Sequence, residues 1–350
     1  MKLKKTIFDV STYKGTLFAC GKSYGEENYE AINIGLYRDI KLSRNEWKYV
    51  EKCMQVKWKY KKPLEELITG IAKGSGREFL EIARLNFERF GGPHNCTAVG
   101  ATGPGTIDGN PILGMDWDGP ISLYPWAKLV RIDSKEWPRI LCYASRPGQI
   151  PSIGMNELGM SVVWTTAAPS IRHRANKPAI GIPVGSLVAG ILACKDCSEA
   201  IQLLKDTPNA DGFIFFLSDS KGKVWVVEGI PSQMTFSECK SSIGRANHLE
   251  DRELIKISRQ ILPPSSPKNN SRARGERIHE LVEKYDGRID MPVMEKILRD
   301  TAGKPGETIC RWRHGDNCMT IDSFILLPKE RRLWAARGLP TRHAFECIKV

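Results

Sequence analysis

The chain changes character abruptly at residue 96, and that change limits the folds open to it. Residues 24–90 carry apolar side chains at three- and four-residue spacing with charges between them, which is helical patterning. Tyr24 to Leu42 reads as one such segment. Ser43 with Glu46 three residues on is a capping-box pattern, opening a second segment that runs to about Lys61. Pro63 suits the first turn of a third, with Leu64, Leu67, Ile68 and Ile71 on one face. Arg77 to Phe90 continues the pattern until Gly91-Gly92-Pro93 stops it.

From Cys96 onward, short apolar runs alternate with turn signals. Gly103-Pro104-Gly105 and Asp108-Gly109-Asn110-Pro111 mark a β-hairpin with Cys96 at the start of its first strand. Further strands are predicted at Ala127–Ile132, Ile140–Ala144, Met160–Thr166, Gly212–Leu217 and Lys223–Glu228, the last two joined by a turn at Asp219–Gly222. Helices are predicted over Pro183–Ala193 and from Ser198 to about Asp206. Residues 263–275 read as the clearest loop, followed by a helix pair and a hairpin near Thr320–Ala335 that turns at Pro328–Arg331. Strands interspersed with paired helices indicate an α+β layered fold. The boundary divides the chain into a helical segment, 1–95, and a larger unit, 96–350.

Composition excludes more than it selects. Of the 350 residues, 41% are hydrophobic and 26% charged, ordinary for a globular protein with a well-buried core. The formal charge of +12 raises the question of nucleic acid or an anionic surface. The basic residues are spread along the chain, with no run of five and no zinc-finger signature, so neither nucleic acid nor a membrane surface is expected as a partner. The Arg272–Arg277 stretch is read as a solvated loop. No stretch approaches 18 apolar residues, and the first 16 residues lack an apolar h-region, so a cytoplasmic location is expected. The ten cysteines form no compact disulfide framework. Cys194-x-x-Cys197 is half of a zinc pattern without a second half, and is read as structural thiols.

Cys96 is the residue with chemistry to offer. A thiol at the start of a strand, just after a helical segment and a Gly-Pro break, sits where the backbone can be strained. Attack on the carbonyl of Asn95, followed by hydrolysis, would free Cys96 with its own α-amine. That amine has a reference pKa of about 7.7–8.0 and is a base close to working pH in the same residue as the nucleophile. Composition alone does not distinguish this from a buried packing cysteine.

The segments GKSYGEENYEAI, ELITGIAKGSGREFLEIARLN, CTAVGATGPGTIDGNPILGMDWD, GMNELGMSVVWTT, GIPVGSLVAGILACKDCSEAIQLL, GRANHLEDREL and TICRWRHGD occur in this order. Together they resemble the acyl-coenzyme A:6-aminopenicillanate acyltransferase family (peptidase family C45) and, more distantly, penicillin V acylases and bile salt hydrolases. All are N-terminal-nucleophile hydrolases. The resemblance implies a four-layer αββα sandwich and autoproteolysis between Asn95 and Cys96, the cleaved N-terminal chain staying associated. It implies a zymogen turned amidohydrolase or acyltransferase, acting on a small acyl amide or acyl thioester without metal or cofactor; acyl-coenzyme A enters only as a substrate. A homo-oligomer is compatible with it. Cys96 aligns with the nucleophile, Asp118 with the carboxylate that binds the new α-amine, and Asn247 with the side chain that completes the oxyanion hole. Asp116 lies two residues before Asp118 on the same strand face, where the family more often has Asn. The second oxyanion donor is expected to be a backbone N–H near Trp164–Thr166, and Asn156 is expected to hold a turn.

Two departures open an alternative. Asn95 stands where the acyltransferases usually carry Gly. The family's late active-site arginine falls near Asn317, leaving Arg311 or Arg313 to replace it. A processing-deficient, catalytically silent scaffold, or a protein that binds through its basic surface, is the alternative to an enzyme.

Overall fold

The computed structural model describes residues 3–5, 8–38, 41–87, 95–150, 152–167, 179–231, 233–262, 264–266, 270–312 and 317–350. Its strands are β1 (Val10–Gly15), β2 (Thr97–Ala101), β3 (Ile112–Pro120), β4 (Lys128–Ser134), β5 (Ile140–Ala144), β6 (Ile153–Asn156), β7 (Ser161–Thr166), β8 (Phe213–Ser218), β9 (Val224–Ile230), β10 (Gln233–Glu238), β11 (Ser242–Arg245), β12 (Cys318–Leu327), β13 (Arg332–Arg337) and β14 (Glu346–Lys349). Its helices are α1 (Leu17–Glu27), α2 (Tyr29–Arg38), α3 (Arg44–Met54), α4 (Lys61–Ser75), α5 (Phe79–Ala83), α6 (Val184–Leu192), α7 (Cys197–Lys205), α8 (Arg252–Ser258), α9 (Ser271–Tyr285) and α10 (Met291–Leu298).

The strands form two sheets. The larger runs β1-β4-β5-β6-β7-β8-β9-β10 and the smaller β11-β2-β3-β12-β13-β14. They face each other through β2 and β3 on one side and β7 and β8 on the other. Helices α1 and α6 cover the larger sheet, and α9 and α10 cover the smaller. This is the expected four-layer αββα sandwich.

Strand periodicity assigns the two faces of the smaller sheet. Cys96, Ala98, Leu113, Met115 and Trp117 belong to the main core between the sheets. Val99, Ala101 and Ile112 belong to a second core closed by Ile278, Leu281, Met294 and Ile297 of α9 and α10. Successive side chains therefore alternate between an inter-sheet face and a helix-covered face.

Most predicted elements are present, including the capping box in which Ser43 and Glu46 bond reciprocally at the start of α3. Three readings are corrected. The segment before residue 96 is not only helical: β1 pairs in parallel with β4, so this segment supplies an edge strand of the larger sheet. Its first helical stretch starts earlier, at Leu17 after the Thr16 cap, and breaks at Asn28 into α1 and α2. The predicted loop 263–275 ends early, because residues 271–275 are the first turn of α9. The predicted stop at Gly91-Gly92-Pro93 lies outside the described residues.

Helices α1 and α4 approach to backbone contact. Gly21 and Gly25 on α1 meet Gly70 and Gly74 on α4, and a methyl group added at Gly21 or Gly70 would lie 2.3 or 2.2 Å from a carbonyl oxygen of the other helix. Glycine's helix penalty is accepted here because no other residue permits this approach. Gly21→Ala or Gly70→Ala is expected to destabilise the protein by about 1–3 kcal/mol despite the gain in helix propensity. Gly35→Ala on α2, where an added methyl meets nothing within 4 Å, is expected to stabilise by up to about 1 kcal/mol. Urea unfolding of the three variants distinguishes the cases.

Candidate active site

Cys96 sits where the hydrogen-bond ladder of the smaller sheet changes hands. On one side, β2 and β3 pair with Thr97 opposite Asp116, and the N–H of Asn95 donates to the carbonyl of Asp118 at 3.3 Å. By antiparallel alternation, the N–H and C=O of Cys96 then point away from β3, toward β11. Strand β11 pairs Arg245 with Ala98 and ends there, so its register sets Asn247 opposite Cys96. Side chains supply what the absent backbone would have supplied. The N–H of Cys96 donates to Oδ1 of Asn247 at 2.8 Å. The carbonyl of Cys96 accepts from the guanidinium of Arg274.

Arg274 was not anticipated. It projects from the first turn of α9 and is fully buried. Its guanidinium also donates to Oγ1 of Thr97 at 2.9 Å, to Oδ1 of Asn247 at 2.7 Å and to Oδ1 of Asn270 at 2.8 Å. The solvated reading of Arg272–Arg277 is corrected here: Arg272 is exposed, whereas Arg274 lies under the sheet. A signal was present in the sequence. Arg274 shares the helical stripe of Ile278, Leu281, Val282 and Tyr285, so an arginine occupies a position whose neighbours are core. Burial pulls its guanidinium down to about 10, against the opposing charge of Asp118.

Asn247 is held on every side. Its own N–H donates to Oγ of Ser271, the first residue of α9. Two donors converge on its Oδ1, which fixes which way the amide faces. Its Nδ2 accordingly points to β7 and donates to the carbonyl and hydroxyl of Thr166 at 3.1 and 3.0 Å. Asn247 therefore offers Cys96 its oxygen, and its amide hydrogens lie on Thr166. The N–H of Ala167 bonds back to Gly212 beside β8, so by alternation the N–H of Thr166 points away from β8, to the side where Asn247 stands.

Asp116 and Asp118 lie together on the helix-covered face, fully buried. Thr320 of β12 donates to Asp118 at 2.7 Å and Ser323 to Asp116 at 2.5 Å. Burial, and then the charge of Asp118, push the Asp116 carboxyl well above the usual carboxylate range. Burial therefore disfavours ionisation of Asp116, at the position where the family more often has Asn. Arg311 is also fully buried and laced to Thr320 by two backbone bonds, its N–H donating to Oγ1 and its carbonyl accepting from the Thr320 N–H. Arg311 therefore reaches Asp118 through a shared partner. Arg313 lies outside the described residues.

The thiol side has its own neighbours. On the inter-sheet face, Asp322 of β12 is in register with Trp117, and continuing the β2–β3 pairing by one residue beyond Thr97–Asp116 sets Trp117 opposite Cys96. Tyr143 of the opposite sheet donates its hydroxyl to Asp322 at 2.6 Å and packs edge-on against Trp117. Neither Asp322 nor Tyr143 was singled out in the sequence, where each reads as a strand residue.

The remaining candidates are structural. Asn156 accepts from the N–H groups of Leu158 and Met160 and donates to the carbonyls of Leu192 and Cys194, holding the β6–β7 turn against the end of α6. Cys194 bonds to the carbonyl of Gly190, and burial pushes its thiol up to about 12. Cys197 is raised further, also by burial. Among the described residues, no cluster of three His, Cys, Asp or Glu side chains is arranged to hold a metal. No helix among them is long and apolar enough to cross a membrane.

Residues 108–342 match the profile of the acyl-coenzyme A:6-aminopenicillanic acid acyl-transferases, over more than half of the chain. The chain belongs to that family. The matched span holds Asp116, Asp118, Thr166, Asn247, Arg274 and Arg311, and begins after Cys96. No curated protein matches the chain by sequence. Among solved structures, the chain is similar to a mutant conjugated bile acid hydrolase from Clostridium perfringens, with 13% identity, a TM-score of 0.44, and coverage of 73% of this chain and 97% of that one. It is also similar to the Caenorhabditis elegans ortholog of N-acylethanolamine-hydrolyzing acid amidase, at 11% identity and TM-score 0.47, covering 67% of this chain and 93% of that one. Penicillin V acylase from Agrobacterium tumefaciens is similar at 12% identity and TM-score 0.42, with 69% and 83% covered.

A buried acid on the inter-sheet face couples the stability of the site to pH. Burial raises the Asp322 carboxyl from 3.8 to about 7, while Arg337, Tyr143 and the Gly338 N–H favour its charged form. The folded state then holds a proton that the unfolded state has lost between about pH 4 and pH 7, so this group's contribution to stability falls as pH rises through that window. The shift corresponds to a contribution on the order of 4 kcal/mol. Asp322→Asn is expected to gain stability relative to the native chain as pH rises from 4 to 7, with no further change above, as read by urea unfolding across pH.

Proposed function

We propose that this chain is a cysteine N-terminal-nucleophile amidohydrolase or acyltransferase, activated by cleavage of the Asn95–Cys96 bond. The observation that carries the reading is the treatment of the Cys96 backbone. An acceptor, Asn247 Oδ1, stands at its nitrogen and a guanidinium, Arg274, at its carbonyl. An ordinary strand residue would have both bonds from a neighbouring backbone. Here the nitrogen that must leave as an amine already faces an oxygen able to hold that amine.

In this reading the Cys96 thiolate attacks the Asn95 carbonyl, the acyl group moves from nitrogen to sulfur, and water hydrolyses the thioester. The freed α-amine then serves as the base for turnover. Asp118 balances the charge of the amine and of Arg274. The oxyanion is met by the Thr166 N–H and by the Asn247 amide, which exchanges its contact with the Thr166 hydroxyl for the oxyanion. Water as the final acceptor makes a hydrolase, and an amine makes a transferase. Both need only a small acyl amide or acyl thioester, acyl-coenzyme A among them, and a cytoplasmic setting with reduced thiols suits the chemistry. The cleaved 1–95 chain stays in place through the β1–β4 pairing and the packing of α1 against β4.

One observation favours the alternative, an uncleaved scaffold: the amide hydrogens of Asn247 are already spent on Thr166. Intact mass under denaturing conditions, with N-terminal sequencing, separates the two. Cleavage is expected to give two pieces, the larger beginning at Cys96. Cys96→Ser is expected to slow or abolish both the cut and turnover, because a hydroxyl ionises far less than a thiol. Asn247→Ala is expected to fold and to lose about 10²–10³ in rate. A folded wild-type chain that stays whole after long incubation would establish the scaffold instead.

A further inference from the structure

Arg274 and the Cys96 nitrogen share one acceptor. Oδ1 of Asn247 takes a hydrogen bond from the Cys96 N–H at 2.8 Å and another from Arg274 at 2.7 Å. Once the Asn95–Cys96 bond is cut, that nitrogen is an amine whose nearest fixed cation is a buried guanidinium across a single oxygen atom. We propose that Arg274 sets the protonation state of the freed Cys96 α-amine, holding it neutral at working pH so that it can act as a base. This rests on the cysteine-nucleophile reading above and deepens it.

The need for such a group follows from the charges around the amine. From β3, Asp118 and Asp116 face the site on the helix-covered side, and an ionised Asp118 alone would raise the amine and lock it as ammonium. A protonated amine cannot take a proton from the thiol. From α9, Arg274 opposes that effect at close range. Arg311 adds a second cation farther off, His248 lies beside Arg274, and Tyr143 faces the thiol from β5. Neutral groups hold Arg274 in place: Asn270 at Nε, Thr97 and the Cys96 carbonyl at the guanidinium. Asp118 is the principal opposing charge acting on it. Arg274 is a positioning residue, acting through Asn247 and through its field.

The protons balance with a neutral amine at the start. The amine takes the thiol proton as the sulfur–carbon bond to the acyl group forms. It gives that proton to the leaving nitrogen as the carbon–nitrogen bond breaks. It takes a proton from water or an acceptor amine as the thioester is attacked, and the proton returns to sulfur as the carbon–sulfur bond breaks.

The test compares wild type, Arg274→Gln and Arg274→Lys, with Cys96→Ala as the background. Intact mass first establishes which proteins are cut before Cys96. Stopped-flow release of p-nitrophenolate from p-nitrophenyl acetate between about pH 5 and pH 10 then gives the acid limb of the acylation rate. In Arg274→Gln the acid limb is expected to move up by about one pH unit or more, while Arg274→Lys, which keeps the charge, moves less. A merely structural role would lower the rate without moving the limb. An unmoved limb in a cut Arg274→Gln protein overturns the proposal. So does failure of both variants to be cut while they melt like wild type, because Arg274 would then act on the cut itself. An uncut but folded wild type is seen in the mass measurement before any rate is taken, and it removes the nucleophile reading together with this one.

Discussion

The site depends on where one hydrogen-bond ladder ends. Strand β11 stops at Arg245, two residues short of covering Cys96, and a strand with an open N–H and C=O inside a buried layer is costly unless both groups are met. A continued strand would have met them with backbone and made Cys96 inert. Two side chains meet them instead, and side chains can differ in charge, move and exchange partners. The sheet thereby gains an acceptor at the nitrogen and a cation at the carbonyl without losing either bond.

This arrangement explains why α9 is where it is. Its first turn presents Ser271 to the Asn247 N–H and Arg274 to Cys96, Thr97 and Asn247. Gly275 leaves room for the ring of His248, since a methyl group there would come within 2.6 Å of it. Gly244 leaves room for Ile278 in the same way. The helix can lie close enough to deliver a guanidinium only because both contact points lack a side chain. A buried arginine is tolerable when its donors are satisfied and carboxylates are near. Asp118 is the principal opposing charge acting on Arg274, and burial together with that charge disfavours ionisation of Asp116.

The layered class and most helices and strands were legible because they rest on local periodicity. The hairpin after Cys96 was legible from its turn residues, whereas Asp118 was singled out only by the resemblance of its segment to the family, the two-residue repeat adding that Asp116 shares its face. Edge strands β1, β10, β11 and β14 were harder, since short segments such as β11 and β14 are defined by the neighbour they pair with more than by their own pattern. Arg274 was hidden by its surroundings in sequence. Arg272 and Arg277 on either side are exposed or half-exposed and make surface ion pairs, so the stretch reads as solvated until the helical phase is fixed from Ile278 onward. The orientation of Asn247 could not be read at all. Alignment places an amide there, but only the convergence of two donors on Oδ1 decides that its oxygen, rather than its nitrogen, faces Cys96.

Alternation along β2 and β3 places the Cys96 thiol and the Asp116–Asp118 pair on opposite faces of one sheet. The thiol lies among Trp117, Tyr143 and the inter-sheet core, where an acyl group of low polarity is compatible with its neighbours. The carboxylates lie under α9 and α10 with the arginines. The proposed chemistry therefore does not rest on a direct thiolate–carboxylate interaction across the sheet. What the two faces share is the backbone of Cys96, whose nitrogen lies in the plane of the sheet between them. A group attached to that backbone can take a proton from one face while its charge is balanced from the other. Under the proposed cleavage before Cys96, the freed α-amine would be such a group, and the terminus of the strand would serve as the base.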